Sequence, residues 1–445
     1  MTVRSTAKPH PHRQMLALAT PMILANITTP LLGLVDTAVL GHMDSPAMLA
    51  GASVGTLILT QIYWVCGFLR MSSTGLSAQA RGHQHAQTQS AAVLYQSLSI
   101  ALVLGMSILL LQWPIQQAGI FLASPPSDVT THLSQYFEVR VWGAPAAMFN
   151  LVLVGWLVGQ QRTRTVLIIQ VVGNVLNGAL DMVFVYGLGM SVGGVALASI
   201  IAEYSMAIMA LTVALKCCWQ VPIDPAWFNR AARKVLLTLN GNMLLRNLAL
   251  QLCLAFLTLQ GARLGETPAA INAILMQFFV LIALGLDGIA YAVEALVGEA
   301  AGAKDKAEIK AHTYRGLFWS SVFAVGYALV FAVFGEEIIA LLTEHSALRQ
   351  AAGDYLGLMI LLPLLGHWCF LYDGVFVGLT RSGAMRDTMI VSALCVYFPV
   401  WYFSREAGNP ALWYALLAFL LARGITLGAV FIFADKKQSL VKADS

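Results

Sequence analysis

Apolar residues run along this chain in twelve stretches, each about the 20 residues that cross a bilayer as an α-helix. The predicted spans are residues 15–40, 48–70, 90–112, 134–158, 165–187, 193–215, 236–262, 270–300, 318–342, 352–379, 388–404 and 411–434. The stretches are apolar all round, without the polar face that a helix on a soluble core would show. The breaks at 41–46, 113–128, 160–164, 187–194, 263–268 and 405–410 hold glycine, proline and charge, the residues that stop helices. The first run, from Met15 to Leu40, is too long for a signal-peptide core and carries Pro30 and Asp36; it reads as a retained first span.

The distribution of positive charge tests this count. With the N-terminus inside, the inner segments carry Arg4, Lys8 and Arg13; Arg81; Arg162 and Arg164; Lys216, Arg230, Arg233 and Lys234; Lys304, Lys306, Lys310 and Arg315; Arg381 and Arg386; and Lys436, Lys437 and Lys442. The outer segments carry Arg263, Arg349 and Arg405. Nineteen against three is the asymmetry expected of cytoplasmic against external loops, so both termini are expected in the cytoplasm.

The halves of the chain resemble one another. Pro145, Gly155, Gly159 and Arg162 recur as Pro363, Gly374, Gly378 and Arg381; Ser45-Pro46-Ala47 recurs as Thr267-Pro268-Ala269; and Gln79-Ala80-Arg81-Gly82 recurs as Glu299-Ala300-Ala301-Gly302. The order is kept, which indicates duplication. Each copy has an even number of spans, so both enter from the same side, as parallel repeats. The expected domains are a bundle over 1–215, a cytoplasmic linker over 216–235 with Pro222 and Pro225, and a second bundle over 236–445. Two such bundles around a central cleft suit alternating access.

Ionisable side chains deep in a bilayer are expensive and mark candidate sites. The first half holds Asp36, Asp181 and Glu203. Asn174, Asn177 and Asp181 fall at i, i+3 and i+7 on one face of the fifth span. Asp36 and Asp181 lie in the outer half of spans that both run outward, and Ser199 on span six lies at similar depth. Two carboxylates in one low-dielectric pocket do not both ionise cheaply. They can share a proton, or, with amide and hydroxyl oxygens, hold sodium; the competing reading is that the asparagines and Asp181 join helices by hydrogen bonding. Pro30, two turns before Asp36 at most, removes a backbone hydrogen bond and marks where span one can bend. The second half holds Arg246, Asp287, Glu294, Glu299 and Asp373, which read as a structural ion-pair cluster, a second ion path or a contact for a cationic substrate. Arg70, Arg140 and Arg423 are expected to pair with acids or to reach toward the interface.

Composition narrows the function classes. Of 445 residues, 58% are hydrophobic and 11% charged, where a soluble domain carries roughly 25% charge. The net charge of +4 gives no reason to expect a nucleic-acid partner. The six cysteines lack zinc or redox spacing. No phosphate-binding loop GxxxxGK[ST] and no nucleophile triad is apparent. The expectation is therefore a non-enzymatic transporter without cofactor, driven by a proton or sodium gradient, with no obligate protein partner.

Several stretches resemble the multidrug and toxic compound extrusion (MATE) family, and within it the DinF-like bacterial branch. They are Ala19-Thr20-Pro21-Met22-Ile23 through Gly33-Leu34-Val35-Asp36-Thr37-Ala38, Arg70 to Leu76, Gly173-Asn174-Val175-Leu176-Asn177 with Asp181, Ile201-Ala202-Glu203-Tyr204, and Leu286-Asp287-Gly288 through Glu294. The resemblance implies an all-α polytopic protein of two six-helix bundles in a V around a central cleft, exporting drugs from the bacterial inner membrane against inward proton or sodium flow. It implies a cation site at Asp36, Asn177 and Asp181 with Asn174 nearby, and Ser199 where relatives often place threonine. Asp373 matches a tenth-span acid of the NorM-like branch, but the seventh span carries Asn242, Arg246, Asn247 and Gln251 and lacks that branch's glutamate. Coupling is therefore expected in the first half. Small organic compounds and membrane lipids are the expected partners, and a lipid or lipid-linked precursor flippase is the alternative reading.

Overall fold

The computed structural model describes residues 10–42, 45–437 and 439–440. Arg4, Lys8 and Lys442 of the predicted cytoplasmic tails lie outside the described residues. Among the described residues, twelve helices are long and apolar enough to cross a membrane. They are α1 Pro11–Gly41, α2 Pro46–Gly82, α3 Ala86–Leu110, α4 Ser127–Gly159, α5 Thr163–Gly187, α6 Val192–Cys218, α7 Arg230–Leu264, α8 Glu266–Gly302, α9 Lys306–Leu342, α10 Leu356–Gly378, α11 Ser382–Ala407 and α12 Pro410–Lys436. Each contains most or all of one predicted span.

The helices outrun the apolar stretches because hydrophobicity marks the bilayer whereas caps mark helix ends. Helix α9 starts at Lys306, well before its apolar run, because the Asp305 side chain accepts from the Glu308 amide at 3.0 Å. Ser45 caps α2 by accepting from the Ala47 amide at 3.2 Å, with Pro46 in the first turn. Two expected irregular segments are partly helical. The break at 113–128 contains a helix, Gln112–Ala123. The linker contains a single 3-10 turn, Pro225–Phe228, started by Asp224 accepting from the Ala226 amide. Trp227 of that turn stacks on Tyr95 with centroids 6.2 Å apart, and Gln96 Nε2 donates to its carbonyl at 2.6 Å.

The chain forms two compact units, Leu24–Leu236 and Met1–Ile23 with Leu237–Ser445. The division passes through α1, a helix the sequence reading placed whole in the first bundle. The second unit receives the start of α1 closely: a Cβ on Gly288 of α8 would lie 2.2 Å from Ile23 Cγ1.

The repeated glycines explain the common plan of the units. In the first unit, a Cβ on Gly155 would sit 2.4 Å from the Arg70 carbonyl oxygen, and one on Gly159 2.6 Å from that of Thr74. In the second, a Cβ on Gly374 would sit 2.7 Å from the Ala290 carbonyl oxygen, and one on Gly378 2.8 Å from that of Glu294. Backbones of α2 and α4, and of α8 and α10, therefore meet without intervening side chains, a packing that small residues permit in membranes. Ser73 and Ser77 of α2 add hydroxyl donation to the Val152 and Trp156 carbonyls of α4 at 2.9 and 2.8 Å. The copies end alike as well. Gln161 and Thr380 take φ of 58° and 51°, and the Arg162 and Arg381 amides reach back to the Leu157 and Phe376 carbonyls at 2.8 and 3.0 Å, the left-handed helix-ending turn.

This packing has a measurable consequence. Gly159→Ala and Gly378→Ala force a methyl group against backbone and should each lower the unfolding temperature in detergent, at a cost of about 1–3 kcal/mol. Gly326→Ala, on α9 where a Cβ meets nothing within 4 Å, should leave it unchanged or raise it slightly, by up to about 1 kcal/mol. Equal effects at all three positions would refute the close-approach reading.

Candidate functional site

Helices α1 and α5 of the first unit run parallel, because their polar contacts advance together. Asn174 Nδ2 donates to Thr28 Oγ1 at 2.9 Å. Eight residues further along α1 and seven along α5, the carboxyl groups of Asp36 and Asp181 lie against one another. Asp181 is 0% exposed. Helix α1 is unbroken through Pro30, so any bend there is absent from this conformation. On α5, Asn177 Nδ2 points to Ser199 Oγ of α6 at 3.5 Å, the long limit of a hydrogen bond. Its carbonyl oxygen is left facing inward.

Among the described residues, no donor reaches Asp36 Oδ1, Asn177 Oδ1 or either carboxylate oxygen of Asp181, although all four atoms are buried. Buried acceptors ordinarily have donors. Two carboxyl groups against one another can share a proton or, with further oxygens, take a hard cation; an oxygen set does not suit a soft transition metal. Among the described residues, no group of three or more His, Cys, Asp or Glu side chains is arranged to hold a metal ion. The structure thus places Asp36 against Asp181, Asn177, one turn before Asp181, against Ser199, and Asn174 against Thr28.

A second polar layer lies beside this group. Arg140 of α4 makes a two-pronged ion pair with Glu203 of α6, Nη1 to Oε2 at 2.9 Å and Nη2 to Oε1. Tyr136, one turn before Arg140, receives a hydrogen bond on its hydroxyl from Thr56 Oγ1 of α2 at 2.9 Å. The Arg140 guanidinium lies 6.0 Å from the Tyr63 ring centroid and within electrostatic reach of Asp36. The expected pairing of Arg140 with an acid is therefore realised, but Tyr63, Tyr136 and Thr56 had not been singled out. A signal for the layer existed: Tyr136 and Arg140, like Ser199 and Glu203, are spaced i, i+4 on their helices.

The second unit treats its charges differently. Arg246 of α7 donates to Asp373 Oδ2 of α10 at 2.5 Å, and Arg423 of α12 binds the same oxygen. Their side chains are only 8% and 5% exposed. Arg246 also donates through Nη1 to Asn247 Oδ1 at 2.8 Å, and Asp287 stands in the same electrostatic neighbourhood, around Cys369. Glu294 is buried on α8, against the α10 backbone at Gly378. The helices that correspond to α1, α5 and α6, namely α7, α11 and α12, meet in two ways. Phe256 contacts Tyr397, Phe398 and Trp401 with centroids 6.0, 5.2 and 4.8 Å apart, and Tyr397 contacts Phe419 at 5.7 Å. Asn242 of α7 donates to Ser382 Oγ of α11 at 3.1 Å and accepts from Arg386 at 2.8 Å.

The MatE family model matches residues 21–183 and 243–402, more than half of the chain and one stretch in each half. The chain belongs to the MATE family. It is 42% identical over 421 residues to DNA damage-inducible protein F of Escherichia coli (strain K12), covering 93% of this chain and 90% of that protein. It is 25% identical over 410 residues to the multidrug resistance protein NorM of Aliivibrio fischeri, covering 89% and 85%. Its fold matches that of a MOP superfamily transporter from Pyrococcus furiosus with a TM-score of 0.83 at 20% identity, covering 98% of this chain and 97% of that one. These findings bear out the family resemblance and the all-α fold of twelve membrane helices. Within the MATE fold, the polar junction of α1, α5 and α6 is the candidate ion site, whereas the carboxylate of Asp373 is already taken up by two guanidiniums, Arg246 and Arg423.

Removing one partner from a buried ion pair costs about 3–5 kcal/mol, because a charge is stranded. Asp373→Asn would strand two guanidiniums and should lower the unfolding temperature clearly, even without substrate or ion gradient. An unchanged unfolding temperature would show that the cluster does not hold the second unit together.

Proposed function

We propose that this MATE-family protein is a secondary active multidrug exporter of the bacterial inner membrane, with both termini in the cytoplasm. It couples efflux of organic cationic or amphiphilic compounds to inward flow of protons or sodium by alternating access, and Asp36 and Asp181 bind the coupling ion with Asn177. One observation carries this reading: among the described residues, four buried oxygens on these residues lack donors.

The chemistry follows from charge. With its ion bound, the acid pair loses part of its negative charge and tolerates a dry, closed environment; without it, two carboxylates repel in low dielectric. Ion occupancy therefore biases the geometry of α1 against α5, and any binding surface that depends on α1 responds. Around the acid pair, three acids, Asp36, Asp181 and Glu203, stand with one base, Arg140, which favours cationic over anionic cargo. The names of the NorM relatives as multidrug resistance proteins support drug-like substrates.

Inverted membrane vesicles test the proposal. A fluorescent lipophilic cation should accumulate when either a proton or a sodium gradient, imposed separately, points out of the vesicle lumen, and the effective gradient names the ion. In Asp36→Asn vesicles, accumulation should fall to the level seen without a gradient. Undiminished accumulation in that variant would remove the acid pair from coupling.

A further inference from the structure

The Arg140–Glu203 ion pair stands beside the acid pair but belongs to neither helix that carries it. Arg140 lies on α4 and Glu203 on α6, one turn on from Ser199. Their side chains are 13% and 16% exposed, and the space they occupy is kept for them. Gly143 lies one turn beyond Arg140, and a Cβ there would fall 2.5 Å from both Arg140 Nη1 and Glu203 Oε2. The Asn150 side chain, also on α4, donates to the Glu203 carbonyl at 2.9 Å and fixes the register of α4 against α6. Asp36 of α1, Tyr63 of α2, Tyr136 of α4 and Glu203 of α6 all lie within electrostatic reach of the guanidinium, and Cys66 of α2 lies near Tyr63. The Tyr63 hydroxyl is buried and has no hydrogen-bond partner among the described residues.

We propose that Arg140 is the counter-charge of the coupling-ion site and that Glu203 restrains it: when the ion leaves, Arg140 turns from Glu203 toward Asp36, and when the ion binds, it returns. Arg140 is a positioning residue in this scheme, acting on the ion through Asp36. Three acids, Asp36, Asp181 and Glu203, surround one base, Arg140, in this group, so whichever acid lacks an ion or a proton competes for the same guanidinium. The Tyr63 hydroxyl supplies a donor for the Glu203 carboxylate once Arg140 has left it. The pair thereby links ion occupancy to the packing of α4 on α6, which a passive structural ion pair would not do.

This inference rests on the assignment of the acid pair as the ion site, and its test separates the two. The unfolding temperature of the purified full chain is titrated with protons and, separately, with sodium, since an ion that binds the folded protein raises it. The Asp36-dependent part is the difference between wild type and Asp36→Asn. If that difference is zero for both ions, the ion-site assignment fails. If it is present, Arg140→Gln should shift its half-point to a roughly tenfold lower ion concentration, because a nearby positive charge has gone. Glu203→Gln releases Arg140 to Asp36 and should shift the half-point roughly tenfold the other way. Arg140→Lys keeps the charge and should restore the wild-type half-point. Shifts in the same direction, or no shift in Glu203→Gln, overturn the counter-charge role while leaving the ion site in place. Should Arg140→Gln fail to fold, the Glu203→Gln and Arg140→Lys arms still decide.

Discussion

Everything polar in this protein is governed by one constraint: a carboxylate taken out of water must be matched by a positive charge, a proton or an ion. The cost of leaving it unmatched is several kcal/mol in a low-dielectric interior, comparable to the net stability of a whole domain. In the second unit, Asp373 meets the constraint with protein alone, since it receives Arg246 and Arg423. The first unit meets it only in part. Arg140 satisfies Glu203, but Asp36 and Asp181 face each other with oxygens that no donor reaches. A matched cluster holds structure and a short one requires a mobile charge, so the same constraint yields a strut in one unit and a candidate ion site in the other.

The repeat makes this contrast informative. Both units close their cores with glycines of α4 and α10 pressed on the backbones of α2 and α8, and both end those helices with the same left-handed turn. Two copies of one plan share a backbone but not a chemistry. At the junctions of α1, α5 and α6 and of α7, α11 and α12, one copy has two carboxyl groups against one another while the other has Phe256, Tyr397, Phe398 and Phe419 beside an Asn242–Arg386 hydrogen bond. Rings packed edge to face resist rearrangement through packing, whereas an acid pair is sensitive to its own charge state.

How much of this the sequence discloses depends on the range of the interaction. Hydrophobic length and the placement of lysine and arginine are local quantities, and they located all twelve helices; the α9 start, missed by a dozen residues, was set by a cap at Asp305 that lies outside the apolar run. The helix at Gln112–Ala123 was obscured because Pro114, Gly119 and the interface position make it look like a loop. Helix periodicity placed Asn174, Asn177 and Asp181 on one face, and the structure shows that one face still serves two neighbours: Asn174 meets Thr28 while Asp181 meets Asp36. Pairings such as Arg140 with Glu203, or Arg246 and Arg423 with one oxygen of Asp373, join residues far apart in the chain. No periodicity encodes them, so the sequence could name the charges as candidates but not match them.

Parallel running of α1 and α5 gives the acid pair its mechanical leverage. Two contacts, Asn174 with Thr28 and Asp181 with Asp36, lie on either side of Pro30, where α1 lacks one backbone hydrogen bond. The first contact is a neutral hydrogen bond that persists whatever the ion does. If the acid pair holds the coupling ion as proposed, the second would change from attraction through a shared proton or cation to repulsion between two carboxylates. A helix held at one end of a weak point and pushed at the other bends at the weak point, so loss of that ion would load α1 at Pro30 rather than displace it whole. The start of α1, up to Ile23, belongs to the other compact unit, so one continuous helix carries both Asp36 and a segment of the second unit.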